Sequence, residues 1–71
     1  MDFSIGDQVY LVSSLPYLKT ADSMPMLRPP DLVSQEEVGV VVGLVGKESI
    51  KVRFRRGVFL ISMSDLKKTA G

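Results

Sequence analysis

The pattern that most constrains this chain is a strict alternation of apolar and basic residues in its second half. It runs through six consecutive positions: Ile50, Lys51, Val52, Arg53, Phe54 and Arg55. A period of two is typical of a β-strand with one face buried and the other in solvent. Arg56-Gly57 follows and favours a tight hairpin turn, in which the glycine takes a positive φ. The pattern therefore predicts a hairpin whose second strand runs from Val58 to Ile61.

Two further strands precede this hairpin. Residues 8–12 alternate as a strand, with Val9 and Leu11 on one face. Residues 38–44 place Val38, Val40, Val42 and Leu44 on one face, and the other face carries Gly39, Val41 and Gly43. Glycines inside a strand indicate a bend, a bulge or the close approach of another backbone. Near the C-terminus, residues 62–66 predict one short 3₁₀ or α turn, and residues 67–71 predict a short edge strand or a tail.

A competing helical signal lies just before the second of these strands. Ser34-Gln35-Glu36-Glu37 matches a capping box, in which the glutamate accepts a hydrogen bond from the serine backbone amide. The residues that follow are Val-Gly-Val-Val-Val-Gly, a composition poorly suited to a helix. We therefore favour a strand over a helix in this region.

Five short strands joined by tight later connections favour an all-β fold in a single domain that spans residues 1–71. A sheet this small leaves two edges exposed and covers only half of its apolar face unless it closes. We therefore predict a small SH3-like barrel of about five strands, with a long first loop and one short 3₁₀ turn near the C-terminus. An OB-fold generally needs a longer chain and a helix between strands, and no such helix is indicated.

The composition excludes several kinds of catalytic site. The chain has no cysteine and no histidine, so it has no thiol nucleophile, Ser-His-Asp triad, histidine metal site or disulfide. Glu36 and Glu37 are adjacent and would point to opposite faces of a strand, so they do not form a catalytic pair. We expect a protein that is not an enzyme and has no cofactor or metal. The sequence shows no signal peptide and no membrane-spanning apolar run, which predicts a cytoplasmic protein without membrane insertion.

A long loop connects the first strand to the rest of the barrel. It covers residues 13–35 and contains all four prolines of the chain: Pro16, Pro25, Pro29 and Pro30. It also holds nine apolar residues, more than a loop over a small barrel buries easily. Two interpretations stay open: the apolar residues form a contact surface, or they fold back and cap an undersized core. Leu18 and Leu27 favour capping, whereas contact with a partner is favoured for Tyr17, Met24, Met26 and Arg28.

The second candidate site is the basic stripe, defined as Lys51, Arg53, Arg55 and Arg56. Residues 36–71 carry a net charge of +3, and residues 1–35 carry a net charge of −2. The stripe suits an acidic protein surface or the phosphates of RNA, and it is also consistent with a solvated outer face. Phe54 points inward, so no aromatic side chain interrupts the stripe and a base-stacking platform is missing. An RNA-binding barrel that uses this stripe is therefore the less favoured function.

Most of the chain resembles one family of small regulatory proteins. The matching segments are FSIGDQV at residues 3–9, PYLKTAD at 16–22, PMLRPPDLV at 25–33, EVGVV at 37–41 and VRFRRGVFL at 52–60. The loop segment from Tyr17 to Leu32 is the most specific, because generic barrel patterning does not produce its composition. On these segments the chain resembles the cyanobacterial NblS-interacting protein A family, over about residues 3–66.

The resemblance implies both a fold and a function. It implies a small SH3-like regulator that binds a membrane-associated sensor histidine kinase through its ATP-binding catalytic region and raises its activity. The implied pathway responds to high light and nutrient stress, and its response regulator is a second implied partner. The resemblance assigns no kinase-binding residue to any position of this chain. We therefore expect a monomeric two-component regulator whose protein-binding residues come from the loop and the basic stripe: Tyr17, Leu18, Met24, Met26, Leu27, Arg28, Lys51, Arg53, Arg55 and Arg56.

Overall fold

Seven β-strands and a 3₁₀ turn near the C-terminus are the main regular elements among the described residues of this chain. The computed structural model describes residues 3–13, 15–21, 26–29, 32–34, 37–46 and 48–69. The strands are β1 (Gln8–Leu11), β2 (Leu18–Thr20), β3 (Leu27–Arg28), β4 (Val38–Val45), β5 (Ser49–Phe54), β6 (Gly57–Ser62) and β7 (Leu66–Lys68). The 3₁₀ turn, Met63–Asp65, lies between β6 and β7. Within these ranges, no helix has the length and apolarity that crossing a membrane requires.

All seven strands belong to one antiparallel sheet in the order β3-β2-β6-β5-β4-β1-β7. β1 lies between β4 and β7, and β5 lies between β4 and β6. This sheet and the 3₁₀ turn before its last strand confirm the predicted all-β class, and closure into an SH3-like barrel stays a prediction. The predicted number of about five strands is too low, because β2 and β3 both lie in the segment predicted as a loop.

β2 and β3 form a small hairpin inside that segment. The backbone N–H of Thr20 donates to the carbonyl of Met26 at 2.8 Å, and the N–H of Met26 donates to the Thr20 hydroxyl, also at 2.8 Å. β2 then pairs with β6, which places Lys19 opposite Leu60 and Thr20 opposite Phe59. The hairpin therefore extends the sheet at one edge, where backbone groups of the predicted loop find partners in β6.

The core contains side chains from every strand except β3, together with two residues from the connections. Three of them, Ile50, Val52 and Phe54, are the apolar members of the alternation in β5, which confirms that this strand has one buried face. The core residues are Phe3, Val9, Leu11, Leu18, Val33, Val41, Ile50, Val52, Phe54, Phe59, Ile61 and Leu66.

Before its bulge, β4 has one face toward the core and the other toward solvent. Gly39 and Val41 are buried, whereas Val38 and Val42 are exposed. A Cβ atom on Gly39 would lie 2.6 Å from Cγ1 of Val52, so the absence of a side chain lets β5 pack close. The strand also contains a β-bulge at Val42, because the register shifts between Val41 and Gly43. The glycines thus mark a close approach and a bulge, as their positions predict.

The turn between β5 and β6 lies one residue earlier than its sequence predicts. Phe54 pairs with Gly57, so the two residues at the tip are Arg55 and Arg56. Gly57 nevertheless takes the predicted positive φ, 147°. The backbone N–H of Arg55 donates to Oε2 of Glu37 at 2.9 Å, which fixes the turn to the start of β4. Arg55 therefore belongs to the turn and is not part of the strand with Lys51 and Arg53.

Candidate protein-binding surface

The β2–β3 hairpin exposes apolar side chains beside a basic one. Tyr17 is 50% exposed, Met26 is 60% exposed and Leu27 is 64% exposed. Arg28 follows Leu27 in β3 and is also exposed. We call these four residues, Tyr17, Met26, Leu27 and Arg28, the hairpin surface. Leu27 and Arg28 are consecutive in β3 and lie opposite Lys19 and Leu18, so their side chains point to different faces of the hairpin. Large exposed apolar side chains on a small soluble domain indicate a contact surface.

The two leucines of the hairpin take opposite positions. Leu18 is only 1% exposed and belongs to the core, so it caps the core as one interpretation predicts and does not belong to the candidate contact surface. The predicted capping role of Leu27 is wrong. Leu27 pairs with Lys19, which faces solvent, and residues paired across antiparallel strands share a face. β3 also lies at the sheet edge, beyond the reach of the core.

The remaining apolar residues of the predicted loop divide between the two interpretations. Val33 is buried, and Leu15 and Leu32 are partly buried and pack against the core. Met24, predicted as a contact, lies outside the described residues. The loop therefore serves both purposes, because one set of its residues completes the core and another set, the hairpin surface, faces solvent.

Two separate grooves lie beside β2. The first, about 310 Å³, is lined by the pair Lys19 and Leu60, and the second, about 300 Å³, is lined by the next pair, Thr20 and Phe59, whose side chains point to the opposite face. The second groove is also lined by Arg28 from β3 and Arg56 from the turn between β5 and β6. Guanidinium groups donate paired hydrogen bonds to carboxylates, so the second groove suits an acidic side chain on an apolar body. The structure thus brings one predicted loop residue and one predicted stripe residue together.

Apart from Tyr17, the first groove contains residues that the sequence pattern does not single out. It is lined by Tyr17 and Lys19 from the hairpin side and by Leu60 and Asp65 from β6 and the 3₁₀ turn. Lys19 reaches this position because β2 pairs with β6, and Leu60 also lies opposite Lys51 of β5. No local pattern predicts that Lys19, Leu60 and Lys51 lie in one row across the sheet, because Lys19 and Leu60 are 41 positions apart in the sequence.

The other members of the basic stripe lie away from the groove with Arg28. Arg53 is exposed on β5 and lies opposite Val40, while Lys51 is half-buried between Gly43 and Leu60. The stripe is therefore divided: Arg56 lines the second groove with Arg28, whereas Lys51 and Arg53 lie on the outward face of the sheet.

One ion pair links the start of the described chain to β7. Lys68 Nζ lies 3.4 Å from Asp7 Oδ2 and 5.7 Å from the centre of the Phe3 ring. The backbone N–H of Ser4 donates to the same carboxylate oxygen at 2.8 Å, and this bond, with a smaller contribution from Lys68, lowers the pKa of Asp7. It is the single salt bridge within the described ranges, so Asp65, which lines the first groove with Lys19, is not within salt-bridge distance of that lysine.

The described residues also contain no cluster of three or more acidic, histidine or cysteine side chains able to hold a metal ion. The grooves and the hairpin surface provide apolar contact area and positively charged hydrogen-bond donors. This arrangement suits the binding of a protein surface with exposed carboxylates.

Comparison with known proteins identifies a family. No curated protein and no solved structure matches the chain. The family that does match is not named for NblS-interacting protein A, so that resemblance remains a hypothesis. The family model described as Protein CHLORORESPIRATORY REDUCTION 42-like matches residues 5–66, and the chain therefore belongs to this family.

Proposed function

We propose that this protein is a non-enzymatic regulator that binds and stimulates a two-component sensor histidine kinase. The partner region is the catalytic ATP-binding part of the kinase, and the pathway is one of stress, high-light and nutrient signalling. The resemblance of residues 3–66 to the NblS-interacting protein A family supports the partner. The hairpin surface, with three exposed apolar side chains beside Arg28, is the observation that supports binding through protein contacts.

In this proposal the hairpin surface supplies the apolar anchors. Burial of a large apolar side chain in an interface contributes about 1.5–3 kcal/mol, and a few such anchors dominate binding. Tyr17 offers a rigid ring and Met26 an adaptable side chain, so each is suited to an apolar contact with the kinase. Arg28 and Arg56 fix the register through carboxylates of the partner, and Lys51 and Arg53 accelerate the encounter with an acidic surface.

Removal of the two anchors tests the proposal. We expect the double substitution Tyr17→Ala with Met26→Ala to weaken binding to the kinase catalytic domain by at least about tenfold. Stimulation of autophosphorylation should fall in parallel, measured with radiolabelled ATP at a fixed concentration of regulator. The far-UV circular dichroism and the melting temperature should change little, because both side chains are at least half exposed.

The chain provides a matched control for this experiment. Ile5 is 67% exposed and Leu44 is 52% exposed, and both lie outside the hairpin surface. The double substitution Ile5→Ala with Leu44→Ala removes a similar apolar area and should leave kinase binding unchanged. The proposal is wrong if the control variant loses as much affinity as the hairpin variant, or if the hairpin variant binds like the wild type.

A further inference from the structure

The outward face of the sheet on β1, β4, β5 and β7 is a second exposed surface. We define the sheet face by Tyr10, Val38, Val40, Arg53 and Lys67. Tyr10 lies opposite Val38 on one side and opposite Lys67 on the other, and Val40 lies opposite Arg53. Because paired residues share a face, Val38, Val40 and Tyr10 form an apolar strip with Arg53 along one border and Lys67 along the other, and the exposed Gln8 lies opposite Val40.

The strip is unusual for the solvent side of an antiparallel sheet. Such faces normally carry polar side chains in alternation with the buried ones. Here Val38 is 49% exposed, and Val42, at the bulge of the same strand, is 37% exposed. The inward positions of β4 hold Gly39 and Val41, so the strand presents more apolar side chain to solvent than to the core. No packing requirement within the described chain accounts for these outward valines.

The charged side chains of the four strands have one sign, and Glu37, directly before β4, accepts a hydrogen bond from the Arg55 backbone. The four strands β1, β4, β5 and β7 contain the cations Lys51, Arg53, Lys67 and Lys68 and not a single carboxylate. Lys68 pairs with Asp7, which leaves Lys51, Arg53 and Lys67 without a described acidic partner within salt-bridge distance. An apolar strip with cationic borders is complementary to an apolar strip with acidic borders.

We propose that the sheet face binds an acidic amphipathic segment of a protein, separately from the hairpin surface. Arg53 and Lys67 lie on strands three positions apart in the sheet, which corresponds to roughly 14 Å at about 4.8 Å per strand. An α-helix with side chains is about 10–12 Å wide, so one helix fits between the two borders. Its apolar face contacts Tyr10, Val38 and Val40, and its flanking carboxylates reach Arg53 and Lys67.

Three other occupants fit less well. A second copy of this chain would bring two cationic faces together. A bilayer surface is bound by large protruding apolar side chains such as Trp, Phe and Leu, whereas the strip consists of short valines and a half-buried tyrosine. RNA requires exposed aromatic rings for base stacking, and Tyr10 is the single aromatic residue in the four strands apart from the buried Phe54.

The test uses a synthetic 18-residue helical peptide with leucines on one face and glutamates on both flanks. We expect saturable binding, with amide chemical-shift changes in ¹⁵N-labelled protein at Tyr10, Val38, Arg53 and Lys67. The charge reversals Arg53→Glu and Lys67→Glu together should weaken this binding by at least about tenfold. The matched control, Lys19→Glu with Arg28→Glu, makes the same change of net charge on the hairpin side and should alter the affinity less than about twofold.

Several results would overturn the inference. They are equal losses of affinity in the two charge-reversed variants, shift changes confined to the hairpin surface, and the absence of saturable binding. Tighter binding of a uridine oligonucleotide or of anionic phosphatidylserine vesicles than of the peptide would assign the face to RNA or lipid. The Tyr17→Ala, Met26→Ala variant should still bind the peptide with wild-type affinity. This variant therefore separates the sheet face from the apolar anchors of the proposed kinase contact.

Discussion

Gly39 is the position where a single added methyl group should disturb this fold most. An alanine Cβ there would lie 2.6 Å from Cγ1 of Val52, 2.7 Å from Cε1 of Phe54 and 2.9 Å from Cδ1 of the same ring. Carbon atoms in contact normally lie about 3.5–4.0 Å apart. Substitution Gly39→Ala therefore requires β4 to move away from β5 by about 1 Å or the Phe54 ring to leave its rotamer.

The expected cost follows from this overlap. Overpacking of a well-packed core costs typically about 1–3 kcal/mol, and the contact of one methyl group with two buried side chains places Gly39→Ala toward the upper end. Alanine also reduces the backbone freedom of the unfolded chain, which stabilises the folded state by about 0.4–1 kcal/mol. A net loss of about 2 kcal/mol remains, which corresponds to a fall in melting temperature of about 8–16 °C for a domain of this size.

Gly43 in the same strand provides the matched control. A Cβ at Gly43 would lie 3.2 Å from Cδ of Lys51, and that flexible side chain is able to move aside. We expect Gly43→Ala to change the free energy of unfolding by less than about 0.5 kcal/mol. Both variants should be compared with the wild type by urea denaturation followed by circular dichroism.

A second variant separates overlap from other effects of the substitution. In the Gly39→Ala background, Phe54→Leu removes the ring atoms that collide with the new methyl group. The loss of unfolding free energy caused by Phe54→Leu should therefore be smaller in this background than in the wild type. We expect a coupling free energy of at least about 0.5 kcal/mol between the two positions. Equal stabilities of Gly39→Ala and Gly43→Ala, or additive effects at positions 39 and 54, would refute the packing argument.

Two further predictions concern Leu18 and Asp7. Leu18→Ala should lower the free energy of unfolding by about 2–5 kcal/mol, because the side chain is only 1% exposed. Leu27→Ala should lower it by less than about 0.5 kcal/mol, because Leu27 is 64% exposed. Chemical denaturation measures both values, and similar losses would place Leu27 in the core. The folded-state pKa of Asp7 is lowered, mainly by the hydrogen bond from the Ser4 N–H and less by Lys68. Its carboxylate therefore stabilises the fold at pH values above the unfolded pKa of about 3.9. This stabilisation is lost as the pH falls through the lower pKa of the folded state. Asp7→Asn should therefore melt below the wild type at neutral pH, with the difference disappearing in acid; a difference that is constant with pH contradicts this linkage.

The second half of the fold follows from local sequence patterns. The alternation from Ile50 to Arg55 predicts β5 because the pleat of a strand imposes the same period on every side chain. The predicted end of β5 is one residue too late, because Arg55 lies in the turn. Strand pairing decides that boundary, since Phe54 lies opposite Gly57.

The direction in which β4 faces depended on a contact between strands. The alternation of residues 38–44 separates its two faces but leaves open which one is buried. Apolar content alone favours burial of the row that starts at Val38, yet the row with Gly39 faces inward. The reason lies in β5, where the Phe54 ring occupies the space above the glycine. Such a constraint joins residues that are far apart in the sequence.

The hairpin surface was predicted in composition but not in geometry. The prolines around residues 16–30 suppress the local signals of a strand, and β2 forms through pairing with residues of β6 about 40 positions later. This pairing buries Leu18, exposes Leu27 and places Arg28 in the same groove as Arg56. Residue type therefore indicated a contact surface, while tertiary pairing decided which side chains form it.

The bulge at Val42 also determines the shape of the sheet face. β4 pairs with β1 through residues 38–40 and continues beside β5 alone as far as Val45. Before the bulge the odd-numbered positions face the core, and after it the even-numbered position 44 lies opposite the buried Ile50. A bulge bends its strand and increases the local twist. One additional residue in β4 thus bends the strand between the part that pairs with β1, where the sheet face lies, and the part that continues beside β5 alone, so its deletion would change the shape of the face offered to a partner.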